Sequence, residues 1–307
     1  MPNNFPDKFV ERYSRIIPDF DNFLAVLQTP LKQSFRINTL KAEKDEVLSL
    51  LADIELEPIP WYDLAFRVKG RVNISERTIH KTGSIYIQEA ISMLPALLLD
   101  PKPNEKILDM TAAPGSKTTQ IAAIMQNNGL IVANDISRKR IGALINNIER
   151  MGVLNTAITI QVGQRLGNII PEYFDKILLD TPCSLEGIIR NTPKVLSNWK
   201  ESTIKRLSKL QNGLINSAFK CLKPGGILVY STCTFAPEEN EAVIDYLFKK
   251  YPDAICESIS IPNLKTRPAI LEWGRKAFNE QIKNCIRIYP QDNDTEGFFV
   301  AKVKKVK

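Results

Sequence analysis

The sequence predicts an α/β fold for residues 101–307: a mainly parallel, doubly wound sheet closed at one edge by an antiparallel hairpin. Three observations carry this. Apolar runs of strand length alternate with helical periodicities, small-residue or Gly/Pro loops separate them, and two late apolar runs, near residues 286–289 and 297–303, are close enough in sequence to pair directly. The elements follow in order. Residues 106–109 read as a short buried strand, 111–115 as a loop and 118–125 as a helix. Residues 130–134 form a second strand, after which Ser137 is placed to cap a helix through about Met151. Residues 157–162 and 176–179 are the third and fourth strands. Helical periodicity over 203–222 ends at Lys223-Pro224-Gly225-Gly226, since proline cannot continue a helix and glycine tolerates the turn, and 227–231 follow as a fifth strand. Residues 238–250 are an amphipathic helix. Asp100-Pro101-Lys102-Pro103-Asn104 interrupts two apolar runs, so the expected division is residues 1–100 and 101–307.

Composition excludes several classes. The chain has 307 residues, 44% of them hydrophobic, enough for two domains with cores. Its longest apolar stretch, residues 90–99, contains Pro95 and is short of the roughly 20 residues a membrane span needs, so no membrane association is expected. One histidine, His80, and the absence of a Cys-x-x-Cys pair argue against a metal centre. The cysteines, Cys183, Cys221, Cys233, Cys256 and Cys285, are odd in number and follow a start without a signal-peptide core, which points to free thiols in a reducing cytoplasm. The net charge of +7 is uneven: residues 1–100 hold 12 basic and 14 acidic side chains, residues 101–307 hold 29 and 20. Such an excess suits a polyanionic partner, although a solvated Lys-rich surface produces the same count.

In a doubly wound sheet, ligands bind beyond the carboxyl ends of the strands, so the loops there carry the functional reading. After the first strand, Thr111, Ala112, Ala113, Pro114, Gly115, Ser116 and Lys117 form a small-residue loop entering a helix N-terminus. Backbone can approach a ligand closely there, and the helix dipole favours an anionic group. The spacing matches neither a phosphate loop nor the dinucleotide fingerprint, so a nucleotide-like cofactor and a plain tight turn both remain open. Asp135 follows the second strand, where an acid accepts from a ribose or simply caps a helix. Cys183 and Cys233 follow the fourth and fifth strands, on the same sheet edge. A cysteine is ordinarily a small core residue, and Cys221, Cys256 and Cys285 are read that way.

These stretches resemble the RNA cytosine-5 methyltransferases of the Nop2/Sun family. The resemblance rests on Asp109-Met110-Thr111-Ala112-Ala113-Pro114-Gly115-Ser116-Lys117-Thr118, Asp180-Thr181-Pro182-Cys183-Ser184 and Tyr230-Ser231-Thr232-Cys233-Thr234, with Pro237-Glu238-Glu239-Asn240 and Phe35-Arg36-Ile37-Asn38-Thr39-Leu40 in support. It covers nearly the whole chain and is strongest to bacterial members acting on small-subunit ribosomal RNA. It implies a Rossmann-like class I S-adenosylmethionine-dependent methyltransferase fold with a smaller N-terminal α+β domain for RNA binding. Some relatives carry a further C-terminal RNA-binding region, so part of the usual contact surface is expected to be missing here. The resemblance also implies Cys233 as nucleophile, Cys183 as the group assisting adduct release and Asp180 as the base-recognition group. Thr111 to Lys117, Asp135 and Asp180 would hold S-adenosylmethionine, with no metal.

The chemistry explains the need for thiols. Carbon 5 of cytosine is too weak a nucleophile until a thiolate adds at carbon 6. A helix beginning near Pro237-Glu238 would assist that thiolate. The resemblance implies an RNA partner, ribosomal RNA first and transfer RNA second, and a monomer is expected. The target base must leave the stack, so Arg190, Lys194, Lys200, Lys205 and Arg206 are candidate phosphate contacts, and Arg36 and Asn38 candidate contacts in the N-terminal part. Val162 stands where the family places an acid toward the adenine, leaving Gln164 as a substitute. DNA cytosine-5 methyltransferases use the Pro-Cys cysteine and lack the second thiol, so the pair discriminates for RNA. A non-catalytic RNA-binding or assembly factor with a weakened cofactor site is the alternative, and only Val162 favours it.

Overall fold

The computed structural model describes residues 5–70 and 72–307. In the first part, β1 (Ser34–Ile37), β2 (Leu56–Ile59), β3 (Tyr62–Val68) and β4 (Ile85–Ile87) form an antiparallel sheet in the order β2-β3-β1-β4. Phe35, Ile37, Val47, Leu51, Phe66 and Ile85 close its own small core.

The large sheet holds β5 (Lys106–Asp109), β6 (Leu130–Asn134), β7 (Thr156–Thr159), β8 (Phe174–Asp180), β9 (Leu222–Thr232), β10 (Ala254–Glu257) and β11 (Arg267–Pro268). After a two-stranded ribbon of β12 (Glu272–Trp273) and β13 (Lys276–Ala277), β14 (Ile286–Ile288) and β15 (Phe298–Lys305) complete it. The order is β11-β14-β15-β9-β8-β5-β6-β7, with β10 also on β15. Strands β5 to β9 pair in parallel, and β14 and β15 add antiparallel pairs at the β9 side, as the late apolar runs predicted.

The central strands are apolar without interruption because both faces are covered. Leu108, Ile177, Leu179, Leu228 and Tyr230 pack one way, against Leu214, Ile215 and Phe219 of the helix Glu201–Cys221. Ile107, Ile131, Leu178 and Val229 pack the other way, against Ile121 of the helix Ser116–Ile124 and Leu144 and Ile148 of the helix Arg138–Met151. The helix Leu94–Leu99, on the N-terminal side of Asp100, lies in this second layer. None of the described helices is long and apolar enough to cross a membrane.

Three local expectations are corrected. Lys223-Pro224-Gly225-Gly226 is not a free turn but a bulge inside β9: Leu222 pairs with Phe174 and Ile227 with Lys176, so the extra residues loop out without ending the strand. The helix expected from residue 238 is Glu241–Lys250, because Pro237 to Asn240 form a turn. The Ser137 side chain accepts no capping hydrogen bond; its own N–H donates to Asp135 Oδ1 at 2.8 Å.

The two parts are joined by buried polar groups. Arg36, fully buried, donates to Gln88 Oε1 at 2.9 Å, Ser116 O at 3.0 Å and Thr119 Oγ1 at 2.8 Å. Asn38 Nδ2 donates to Gly83 O and Met151 O, both at 2.8 Å. These residues therefore dock the small sheet on the large one and are not available as RNA contacts. The helices Asp7–Tyr13 and Phe20–Leu27 likewise insert Phe9, Tyr13 and Phe23 against Phe235 and Tyr289.

Candidate active site

Parallel pairing aligns the ends of β9, β8 and β5, so Cys233, Asp180 and Asp109 arrive side by side at one sheet edge. They border a cavity of about 470 Å³, within the range of about 300–1,000 Å³ usual for ligand pockets. Thr111, Ala112, Ala113, Pro114, Ser116, Lys117 and Cys183 line it too. Gly115 lies behind the wall. Its φ is +100° and a Cβ there would meet Leu144 Cδ1 at 2.8 Å, so glycine is what lets the loop turn tightly into its helix.

The two thiols form a pair: Cys183 Sγ lies 3.1 Å from Cys233 Sγ. The hydrogen bond to Cys233, burial and the nearby Glu239 carboxyl all push the Cys183 thiol well up, so it keeps its proton. Cys233 is the more exposed of the two and has a cation, Lys117, in its field.

Lys117 is the polar centre of the cavity. Burial alone would push its ammonium down, but Asp180, Asp109 and Cys233 outweigh it and hold it above its ordinary value. Its Nζ donates to Asp180 Oδ2 at 2.6 Å, and Ser231 Oγ donates to Asp180 Oδ1 at 2.7 Å. The Asp109 carboxyl accepts from Thr118 Oγ1 at 2.6 Å, and burial pushes it up to about 7.

Other expected residues stand differently. Asp135 is buried beside the cavity rather than on its wall. Its Oδ2 accepts from Ala113 N at 3.1 Å and faces Arg140, while Oδ1 accepts from Ser137 N, so the carboxylate organises both loops. Val162 precedes the helix Gly163–Ile169, and Gln164 rests its stem near Gly213; neither reaches the cavity. Arg190 is not a phosphate contact. It is buried, bonded to Thr29 O, Thr29 Oγ1, Pro30 O and Thr295 O and paired with Asp294 at 2.7 Å. Lys194, Lys200 and Arg206 do line an open groove, which meets the cavity at Cys183 and Leu185; Lys205 is exposed but outside that lining.

Several acids escaped the sequence reading. Asp109 ends β5 and obeys the strand-end rule that singled out Asp135. Glu186 accepts from Tyr13 OH, Trp199 Nε1, Thr234 Oγ1 and Phe235 N, tying the first helix to both cysteine loops. Glu239 accepts from Ser184 N and Gln211 Nε2, and burial pushes its carboxyl up to about 8. Glu296 lies on the cavity wall. Glu186 opens a short 3-10 turn and Glu239 and Glu296 sit in loops, none with a sequence signal for burial.

Residues 96–304 match the family of the 16S rRNA methyltransferase RsmB/F. The chain belongs to this family. Residues 5–90 match the N-terminal domain of 16S rRNA methyltransferase RsmF. Among its relatives, the tRNA (cytosine(49)-C(5))-methyltransferase of Pyrococcus abyssi is 47% identical over 97% of this chain and 96% of its own length. The ribosomal RNA small subunit methyltransferase F of Escherichia coli is 43% identical over 98% of this chain, which spans 63% of that relative. A solved methyltransferase homolog from Pyrococcus horikoshii superposes with a TM-score of 0.87 at 35% identity, covering 99% of this chain and 96% of the other. The Rossmann-like methyltransferase fold implied by the sequence is thus the fold of its relatives.

Proposed function

We propose that this chain transfers a methyl group from S-adenosylmethionine to carbon 5 of a cytosine in RNA, through a covalent adduct with Cys233. What carries the reading is the pair Cys183 and Cys233, 3.1 Å apart, in one cavity with Lys117 and Asp180. Cys233 attacks carbon 6, and the electrons of the carbon 5–carbon 6 bond move into the ring. Lys117 stabilises the charge that develops, and Asp180, held by Lys117 and Ser231, contacts the base edge. The enamine makes carbon 5 nucleophilic. After methylation a solvent water takes the carbon 5 proton, the electrons of that C–H bond re-form the carbon 5–carbon 6 double bond, and the carbon 6–sulfur bond breaks to release the Cys233 thiolate; the Cys183 S–H is placed to hydrogen-bond that leaving sulfur.

The residues suit S-adenosylmethionine. The cavity has adequate volume, its small-residue loop enters a helix, and Gly115 leaves no side chain where the loop turns. Thr111 to Lys117 would hold it, with Asp135 organising the loop and Asp180 adjacent. When bound, it supplies the methyl group, and the protein orients it. Residues 101–307 are the catalytic part. Residues 1–100 act as an RNA-positioning unit through shape, since Arg36 and Asn38 are spent on docking. The RNA strand flanking the flipped base follows the groove of Lys194, Lys200 and Arg206. The cytoplasm is the compartment of this reading, which five free cysteines suit.

The relatives' names divide between transfer RNA and small-subunit ribosomal RNA, so the test uses unmodified transcripts of both with radiolabelled S-adenosylmethionine. The wild type labels carbon 5 of cytosine in one of them, Cys233→Ala falls to background, and Cys183→Ala accumulates a protein–RNA adduct that survives denaturing electrophoresis. An active Cys233→Ala enzyme, or a wild type that labels neither RNA, overturns the reading.

A further inference from the structure

Leu185 stands where the catalytic cavity meets the cation-lined groove, and it lines both. It is 42% exposed, which for a single leucine says little. Its backbone says more. With φ at +64° and ψ at +20° it lies in the left-handed region, where a Cβ crowds the neighbouring carbonyl oxygen. Among the described residues other than glycine, the rest with such a φ are Asp, Asn, Gln or Glu; Leu185 alone is apolar.

The chain on either side holds this conformation in place. Ser184 N donates to Glu239 Oε2 at 3.1 Å, and Ser184 Oγ lies 2.7 Å from Thr234 Oγ1. Glu186 is buried under its four donors, Gly187 N donates to Cys233 O at 2.8 Å, and Gly297 N donates to Gly187 O at 2.9 Å. The turn itself has a use, because it faces the Leu185 N–H toward the Cys183 sulfur. Glycine would make that turn without strain, and asparagine with little. The leucine therefore destabilises the chain twice, through a strained backbone and through apolar surface left in water. It joins none of the apolar clusters of the described residues. Its side chain is explained by a contact made outside the chain.

We propose that Leu185 is a wedge for the RNA: as the target cytosine turns into the cavity, the leucine enters the space it vacates and packs on the face of the adjoining base. This rests on the RNA cytosine reading above. A stacked cytosine reaches Cys233 only by leaving its neighbours, and the gap exposes a flat apolar face. Apolar side chains inserted at a base step cover such a face. The occupant is a nucleotide because the groove beyond Leu185 has the charge of a phosphate path: the described residues lining it include Lys194, Lys200 and Arg206 and no acid. A strand held there by its phosphates passes Leu185 on its way into the cavity. Pinned on both sides, the wedge is set before RNA binds, so the fold bears its strain in advance. The substrate class follows: a cytosine stacked on at least one neighbour.

Leu185→Gly removes the wedge and relaxes the backbone, so thermal unfolding should find it no less stable than the wild type. Leu185→Asn, polar and tolerant of the same φ, is the second variant. On whichever of the two transcripts the wild type accepts, both should lose about tenfold in kcat/KM, the size of one stacking contact. Leu185→Met, which keeps an apolar side chain, should recover most of that loss. The decisive measurement crosses these proteins with the RNA. Copies of the transcript ligated from synthetic pieces lack the base on one side or the other of the target cytosine, leaving nothing there for the wedge to cover. On one of the two copies the tenfold ratio of wild type to Leu185→Gly should shrink to about one. A ratio that persists on both copies, or folded Gly and Asn variants with wild-type kcat/KM on the intact RNA, overturns the proposal and leaves the methyltransferase reading intact. Failure of the wild type on both transcripts would instead sink that reading.

Discussion

Cys183 Sγ and Cys233 Sγ approach to 3.1 Å across the ends of two neighbouring parallel strands. A disulfide needs about 2.05 Å, a closure of about 1 Å. Treatment with hydrogen peroxide should therefore convert Cys233 to a sulfenic acid that Cys183 displaces as water leaves, giving an intramolecular disulfide and an inactive enzyme. Mass spectrometry should find the two peptides linked, and dithiothreitol should restore activity. If peroxide inactivates without joining these two residues, their spacing in solution is larger than 3.1 Å.

Glu186 is a buried acceptor serving four donors from three segments. Glu186→Ala strands the Tyr13 hydroxyl, the Trp199 indole N–H, the Thr234 hydroxyl and the Phe235 N–H, and should cost about 3–5 kcal/mol. Chemical denaturation of the two proteins measures this directly. A loss below about 1 kcal/mol would mean that water replaces the carboxylate freely.

Glu239 makes stability depend on pH. Burial raises its carboxyl to about 8 in the folded protein, so the neutral form suits the fold and the ionised form opposes it. The stability it contributes is complete below the ordinary carboxylate range and is lost as pH rises through about 8. Glu239→Gln should flatten the decline between about pH 5 and 8 by roughly 4 kcal/mol. Melting temperatures across that window test it, and parallel slopes for the two proteins would count against the assignment.

The groove and the buried arginine predict opposite phenotypes. Replacing Lys194, Lys200 and Arg206 by alanine should leave the melting temperature unchanged and reduce the slope of log affinity against log salt by about 2, at about 0.7 per phosphate on a single strand. Arg190→Ala should do the reverse, because it removes a buried guanidinium that pairs with the exposed Asp294 and satisfies three backbone carbonyls. Fluorescence anisotropy with labelled transcripts at several salt concentrations separates the two. An Arg190→Ala protein of normal stability and reduced slope would return that residue to the RNA surface.

Local chemistry determined much of this protein directly. The alternation of apolar runs with helical periods specified the parallel sheet, because strands buried on both faces leave an uninterrupted apolar signature. The sheet in turn put Cys183, Cys233, Asp180 and the Thr111 to Lys117 loop at one edge, since every parallel strand ends on the same side. What sequence could not decide was the destination of polar side chains. Arg190 and Lys194 are cations four residues apart, yet the first is buried among carbonyls and the second is exposed at the groove. Arg36 and Asn38 look like surface groups until the small sheet is set against Ser116 and Met151. Glu239 and Glu296 are ordinary acids in sequence and become buried, raised carboxyls only in the fold. Burial and long-range partners set their charge and reach, and both arise from residues tens to hundreds of positions away.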